Sequence, residues 1–174
     1  MDIMVVGASK GLGRAFMDGL GDCGDRLIGV SRSRPADLQA RDGIAVDWIE
    51  ADLGTPLAAI RQIDEHLGNR GLDTLIYNLG IWEDRAFADD YAFLDDRDEQ
   101  LQSIVSCNVT APILLIKRLL PLLLRSDRPR IILTGSTSGL SQSGRPEVAF
   151  GASKFALRGM ADALREGYRE QRLG

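Results

Sequence analysis

Three glycines spaced Gly7-x-x-x-Gly11-x-Gly13 constrain this chain more than any other feature, because they separate a strand-like run from a helical one. Ile3-Met4-Val5-Val6 reads as a buried strand, and Gly11 to Leu20 places Leu12, Ala15, Phe16 and Leu20 on one face at helical spacing. A strand that stops at glycine and restarts as a helix leaves backbone N–H groups free at the helix start. In such a turn Gly7 permits the sharp bend, Gly11 the close approach of a pyrophosphate, and Gly13 the packing of helix on strand. The helix N-terminus adds a partial positive charge. The stretch Gly7-Ala8-Ser9-Lys10-Gly11-Leu12-Gly13 is therefore expected to cradle the diphosphate of a dinucleotide.

The rest of the chain alternates short apolar runs with longer helical ones, the pattern of βαβ units around a parallel sheet. Further strands are expected at Arg26 to Val30, Ile44 to Trp48, Leu72 to Tyr77 and Arg130 to Leu133. Helices are expected from Thr55 to Leu67, with Thr55 as N-cap and Pro56 at the first turn, from Glu99 to Leu124, and from Phe150 to Gln171. Pro112 should bend the second of these, since proline removes a backbone donor. The expected fold class is α/β, a Rossmann-type doubly wound parallel sheet, with residues 1–174 as a single domain. The stretch Gly80 to Asp96 has no clear period. Its Trp82, Phe87 and Phe93 fit either an apolar pocket or core packing.

Charge narrows the function. A net charge of −4 offers no basic footprint for nucleic acid and no polybasic membrane patch. The acids from Glu83 to Glu99 read as a solvated loop and helix start. The apolar run Ile113 to Leu124, broken by Lys117, Arg118 and Pro121, is short for a bilayer, which needs about 20 residues. Cys23 and Cys107 have neither disulfide nor metal-ligand spacing, so no metal is expected. With no signal-like N-terminus, a cytoplasmic location is expected. At the end of the second strand an NAD site carries an acid for the ribose 2′-hydroxyl. Here the chain has Ser31-Arg32-Ser33, and Lys10 lies inside the glycine turn. Two cations suit a 2′-phosphate, which favours NADP (NADPH) over NAD; Arg34 reads as a solvated charge.

With these residues in place the sequence resembles the short-chain dehydrogenase/reductase family. The glycine spacing matches, Asp52-Leu53 looks like the family's pair at the adenine pocket, and Asn78-Leu79-Gly80 is similar to its Asn-Ala-Gly motif. Asn108 matches the active-site Asn, Ser136 the catalytic Ser, and Phe150-Gly151-Ala152-Ser153-Lys154 the Tyr-x-x-x-Lys box. The resemblance implies hydride transfer between nicotinamide C4 and a carbonyl or alcohol carbon of a small substrate. Ser136 would bind the substrate oxygen, with Thr137 and Ser138 as neighbouring alternatives, Lys154 the nicotinamide ribose, and Asn108 a relay water. It also implies a homodimer or homotetramer built on the helices from Glu99 and from Phe150.

Two departures stand out. Phe150 occupies the tyrosine position and has no proton to give, and a positioned acid is typically worth about 10²–10⁴-fold in rate. Phe150 is an engineered change, a natural one with another donor, or the mark of a cofactor-binding protein without catalysis; an isomerase or epimerase that needs no phenol ranks below these. Tyr77 reads as core, Tyr91 as the other nearby phenol, and His66 as a helix-end cation rather than a catalyst. Second, the chain stops at Arg172-Leu173-Gly174, where the family begins a sixth strand. The sheet is expected to lack the C-terminal strands, which reads as a fragment of a longer protein; were 174 residues the whole length, the fifth strand would be an edge through which chains self-associate.

Overall fold

In the computed structural model, which describes residues 1–174, five parallel strands form one sheet in the order β3-β2-β1-β4-β5. They are β1 (Asp2–Val6), β2 (Arg26–Ser31), β3 (Ala45–Glu50), β4 (Thr74–Tyr77) and β5 (Arg130–Leu133). After a polar first residue, Asp2 in β1 and Thr74 in β4, the central strands run as buried, largely apolar residues because both faces are covered. β1 registers Ile3 against Leu27 on one side and against Thr74 on the other. The direction of winding reverses between β1 and β4, which opens the crevice where doubly wound folds bind ligands.

The two faces are unequal. One carries α2 (Pro56–Leu67) and α4 (Ala111–Leu123) over a cluster of 20 buried residues that includes Met4, Val30, Ile63, Leu75, Leu115 and Leu119. The other carries α1 (Gly11–Gly19) over a cluster of six, with Met17 against Val5 and Leu27. α1 sits one residue out of phase with the sequence pattern: Gly13 and Met17 are its buried positions, while Leu12 is 52% exposed and Ala15 is exposed. Glycine adds nothing to a hydrophobic pattern, yet its missing side chain makes Gly13 the closest point of contact.

Pro112 acts upstream of itself. The helix from Asp98 runs as α3 (Asp98–Val105), widens into a π-turn over Ser106–Thr110, and continues as α4 with Pro112 in its first turn. The proline lacks the N–H that would bond to the Asn108 carbonyl, and its ring crowds that carbonyl, so the turn opens there. By length and mean hydropathy this run, Asp98–Leu123, could cross a bilayer, but half of its most apolar window is buried inside the domain. α5 (Val148–Gly167) starts two residues earlier than its pattern suggests and buries Phe150, Ser153, Lys154 and Leu157 at i, i+3, i+4 and i+7. Thr55 precedes α2 as expected, but its hydroxyl donates to Asp52 O instead of capping the helix. His66, in the last turn of α2, lies 2.7 Å from Asp47 Oδ2.

β5 forms one border of the sheet, with Ile132 46% exposed. Its outer side is met at one end by Gly174, whose N–H donates to Pro129 O while its carbonyl accepts from Ile131 N–H.

Candidate active site

Parallel strands bring the ends of β1, β2, β3, β4 and β5 to one edge of the sheet, and the glycine turn lies at its centre. Gly7 has φ +82° and donates its N–H to Val30 O at 2.9 Å, which ties the turn to the end of β2. A Cβ at Gly7 would lie 2.9 Å from Leu79 Cα, and one at Gly13 would overlap the Gly7 carbonyl and come 2.9 Å from Asn78 Nδ2. Both glycines are filled from inside the protein. Gly11 differs: at φ +57° it has no atom within 4 Å of its Cβ direction, so space remains on the ligand side. Ser9 is half-buried in the turn, and Lys10 is the N-cap but makes no side-chain cap. The N–H groups of the first turn, at Gly11, Leu12 and Gly13, have no intrahelical acceptors. This cradle fits a diphosphate.

At the next strand end Ser31 Oγ donates to Ser33 O, and Arg32 is exposed. Arg14 is committed to Asp18 and Asp37, whereas Lys10 and Arg32 make no ion pair. Glu50 stands opposite Ser31 in register and accepts the Arg34 N–H. Asp52 and Leu53 divide the work expected of them as a pair. Asp52 is exposed and accepts the Gly54 N–H, but the Leu53 side chain belongs to the core, 2% exposed.

The ends of β4 and β5 converge with α5. Asn78 accepts from the Thr134 hydroxyl at 3.1 Å, and Lys154 Nζ donates to Thr134 O at 3.0 Å. Gly80 leaves room for that ammonium, since a Cβ there would sit 3.2 Å from Lys154 Nζ. Burial pushes the Lys154 pKa down, and no carboxylate pairs with it. Asn108, on the π-turn, is buried and fully used: its Oδ1 accepts the Ile81 N–H, and its Nδ2 donates to Ile81 O and to Ser153 Oγ. The side chain therefore braces the loop after β4. Ser136 is half-buried, and its Oγ accepts the Ser138 N–H, which leaves the hydroxyl proton free to donate. Ser138 itself is buried and Thr137 is exposed. Phe150 is 6% exposed, with Lys154 Nζ 5.4 Å from its ring centroid.

Tyr77 is core, donating its hydroxyl to Cys107 O, and burial raises its pKa far above the ordinary phenol value. Burial likewise pushes the Cys107 thiol up to about 11. Trp82, Phe87 and Phe93 are not core, being 52%, 54% and 43% exposed.

Two functional candidates have no sequence signature. Glu83, in the stretch expected to be solvated, is 0% exposed, and its Oε1 accepts the N–H groups of Ala149 and Phe150 at 2.9 and 3.1 Å. Glu147, 2% exposed, returns the contact by accepting the Phe87 N–H at 3.1 Å. Only backbone amides more than 59 residues distant reveal these acids, and no local pattern reports such partners.

A parallel sheet with a glycine turn at its reversal point, three ordered strand ends and a buried lysine on the following helix defines a dinucleotide-binding domain of the Rossmann class. The model of the short chain dehydrogenase family matches residues 2–173, and the chain belongs to that family. It is 33% identical over 172 residues to the rhamnolipids biosynthesis 3-oxoacyl-[acyl-carrier-protein] reductase of Pseudomonas aeruginosa, covering 92% of this chain and 64% of the relative. A Pseudomonas aeruginosa RhlG/NADP active-site complex superposes with TM-score 0.81 at 28% identity, over 99% of this chain and 69% of that one. A short chain dehydrogenase of Shigella flexneri 2a str. 301 complexed with NADP superposes with TM-score 0.82 at 29% identity, over 99% and 73%. The chain spans about two thirds of the length of the curated relatives it matches, 68%, 64% and 61% for three of them. These relatives and neighbours are oxidoreductases or dehydrogenases.

Proposed function

We propose that residues 1–174 form one NADP(H)-binding unit of a short-chain oxidoreductase acting on a small carbonyl or alcohol substrate, with its proton-transfer step impaired by Phe150. The observation that carries the cofactor reading is the pair of unpaired cations, Lys10 inside the glycine turn and Arg32 just after β2, where an NAD site would have an acid. The two NADP complexes among similar structures support it.

The nicotinamide would supply hydride at C4. The chain's own residues do the rest. First-turn amides and Gly11 bind the diphosphate, and Arg32 offers a planar fork to the 2′-phosphate. Lys154 has one bond to Thr134 O, leaving two ammonium protons for ribose hydroxyls. Ser136 donates its hydroxyl proton to the substrate oxygen, with Ser138 N–H fixing the Oγ. Asn108 holds Ile81, and with it the loop over the site, in place. No phenol stands at position 150, so the developing alkoxide has no positioned acid there.

A second reading, a catalytically silent NADP-binding sensor, draws on the same residue: Phe150 is fully packed, with Trp82 edge-on at 6.0 Å and Lys154 over its ring. The scarcity of cysteine, two in 174 residues, supports a cytoplasmic setting. An apolar cavity of about 450 Å³ between α4 and α5, lined by Ile113, Ile116, Leu120, Met160 and Leu164, supports a homo-oligomer assembled through these helices.

Fluorescence titration with NADPH and NADH tests the cofactor reading. NADPH is expected to bind at least about tenfold tighter, and Arg32→Ala to remove most of that gap, a charge-assisted phosphate contact being worth about 1.5–3 kcal/mol. Equal affinities in the unmodified protein would refute it.

A further inference from the structure

Beside the lysine that the proposed function assigns to the cofactor lies an apolar surface that no part of that reading uses. The Trp82 ring stands edge-on to Phe150 at a centroid distance of 6.0 Å and to Phe87 at 5.9 Å, at interplanar angles of 88° and 67°. Trp82 and Phe87 are each about half exposed and form a ledge at the surface, while Phe150 is buried behind Trp82 as its inner wall. Phe150 is also the residue over which Lys154 sits, so the ledge begins at the reacting centre.

The protein holds this ledge at a cost. Phe87 has φ +70°, a left-handed backbone that a residue with a Cβ adopts only when its surroundings impose it. What imposes it is Glu147, at the N-cap of α5, whose Oε1 accepts the Phe87 N–H. Glu83 closes the reciprocal clasp, reaching from beside Trp82 to the Ala149 and Phe150 N–H groups of the same helix end. Both carboxylates are buried, and the second oxygen of each has no partner. Burying two acids in this way is unfavourable unless the geometry they fix is used. The carboxyl groups of the clasp are themselves shielded from solvent.

We infer that Trp82, Phe87 and Phe150 form the subsite for an uncharged aromatic substituent on the substrate's carbonyl or carbinol carbon, with Glu83 and Glu147 as positioning residues. The inference rests on the oxidoreductase reading for the identity of the reacting carbon. Edge-to-face geometry leaves faces of the half-exposed Trp82 and Phe87 rings open to another aromatic group, and Phe150, with no hydroxyl, makes the inner wall apolar too. Five aspartates against one arginine between positions 84 and 96 disfavour an anionic substituent.

The test uses the protein with NADP⁺ bound and two neutral alcohols, 1-phenylethanol and 2-butanol, titrated by ligand-observed NMR so that turnover is not needed. 1-Phenylethanol is expected to bind at least about tenfold tighter, and Phe87→Ala to cut its affinity by about threefold to tenfold while leaving 2-butanol unchanged, one aromatic contact being worth that much. Glu147→Gln, whose amide oxygen still accepts the Phe87 N–H, should keep the phenyl preference, and Glu147→Ala should lose it, with thermal unfolding confirming that each variant is folded. A preference that survives Phe87→Ala would put the ring elsewhere, such as between α4 and α5, and overturn the inference, as would the absence of any preference. A separate titration with NADPH and NADH keeps the two ideas apart: equal affinities for the two nucleotides together with a phenyl preference lost with Phe87 would sink the cofactor reading and leave the ledge standing.

Discussion

The glycine turn and the start of α5 lie at the same edge of one sheet, and they encode function in opposite ways. At the turn the ligand site is made of backbone: Gly7 and Gly13 are required by contacts inside the protein, and Gly11 leaves the space they create open. At α5 the candidate site is made of side chains on an ordinary helix, and in the proposed reading what it lacks is one oxygen at Phe150. The difference teaches that the first kind of site fails together with the fold, whereas the second can lose its chemistry while the fold stays intact.

Phe150→Tyr is the strongest way to break that contrast. If the α5 end is a whole site lacking one acid, the phenol should raise NADPH-dependent reduction of an aryl ketone by at least about 100-fold, the lower bound for a positioned proton donor. Single-turnover absorbance at 340 nm measures it, and the melting temperature should stay within a few degrees, since the ring already packs against Trp82. No gain across a panel of carbonyl compounds would decide for the silent sensor.

The same contrast predicts the reverse at the turn. Gly13→Ala forces a methyl group onto the Gly7 carbonyl and against Asn78, so α1 must move off β1; a loss of about 3 kcal/mol or more is expected in urea unfolding, and NADPH binding should go with it. Gly11→Ala meets no atom and should lose only about 1 kcal/mol, from the unfavourable positive φ. Similar losses at the two positions would mean that the turn is not braced from within.

How much of this was legible depended on whether the decisive partner was local. The strand at Ile3–Val6, the glycine turn and the alternation around the parallel sheet come from neighbours in sequence, and the structure has them where the pattern implies. The face of α1 was misread because Gly13, its closest contact, carries no hydrophobic signal. The distortion due to Pro112 falls at Ser106–Thr110 because a proline disturbs the carbonyl four residues before it. Leu53 leaves its motif partner for the core, and Glu83 leaves a visibly acidic loop for the interior, each drawn by partners distant in the chain. The sequence motif brings Asn78, Asn108, Ser136 and Lys154 to one end of the sheet. What they touch was not legible: Asn108, matched as a water holder, spends its side chain on Ile81 and Ser153.

The smallest effect sharpens the comparison from the stability side. Lys154 is a buried ammonium with one hydrogen bond and no carboxylate, so nothing within the fold neutralises its charge. Burial lowers its pKa in the folded chain below that in the unfolded chain. Below both values the folded state therefore bears the cost of an under-solvated charge, and the cost fades as pH rises through the folded value towards the unfolded one. Lys154→Met removes it. The variant should be as stable as the unmodified protein or more so, by about 1 kcal/mol at neutral pH, with the advantage shrinking as the solution becomes alkaline. NADPH affinity should fall in the same variant, because the ribose loses its donor. Urea unfolding at pH 7 and pH 10, with and without cofactor, checks all three. A substantial destabilisation at pH 7 would make Lys154 a structural cation, and the α5 end would then resemble the glycine turn, with ligand site and fold inseparable.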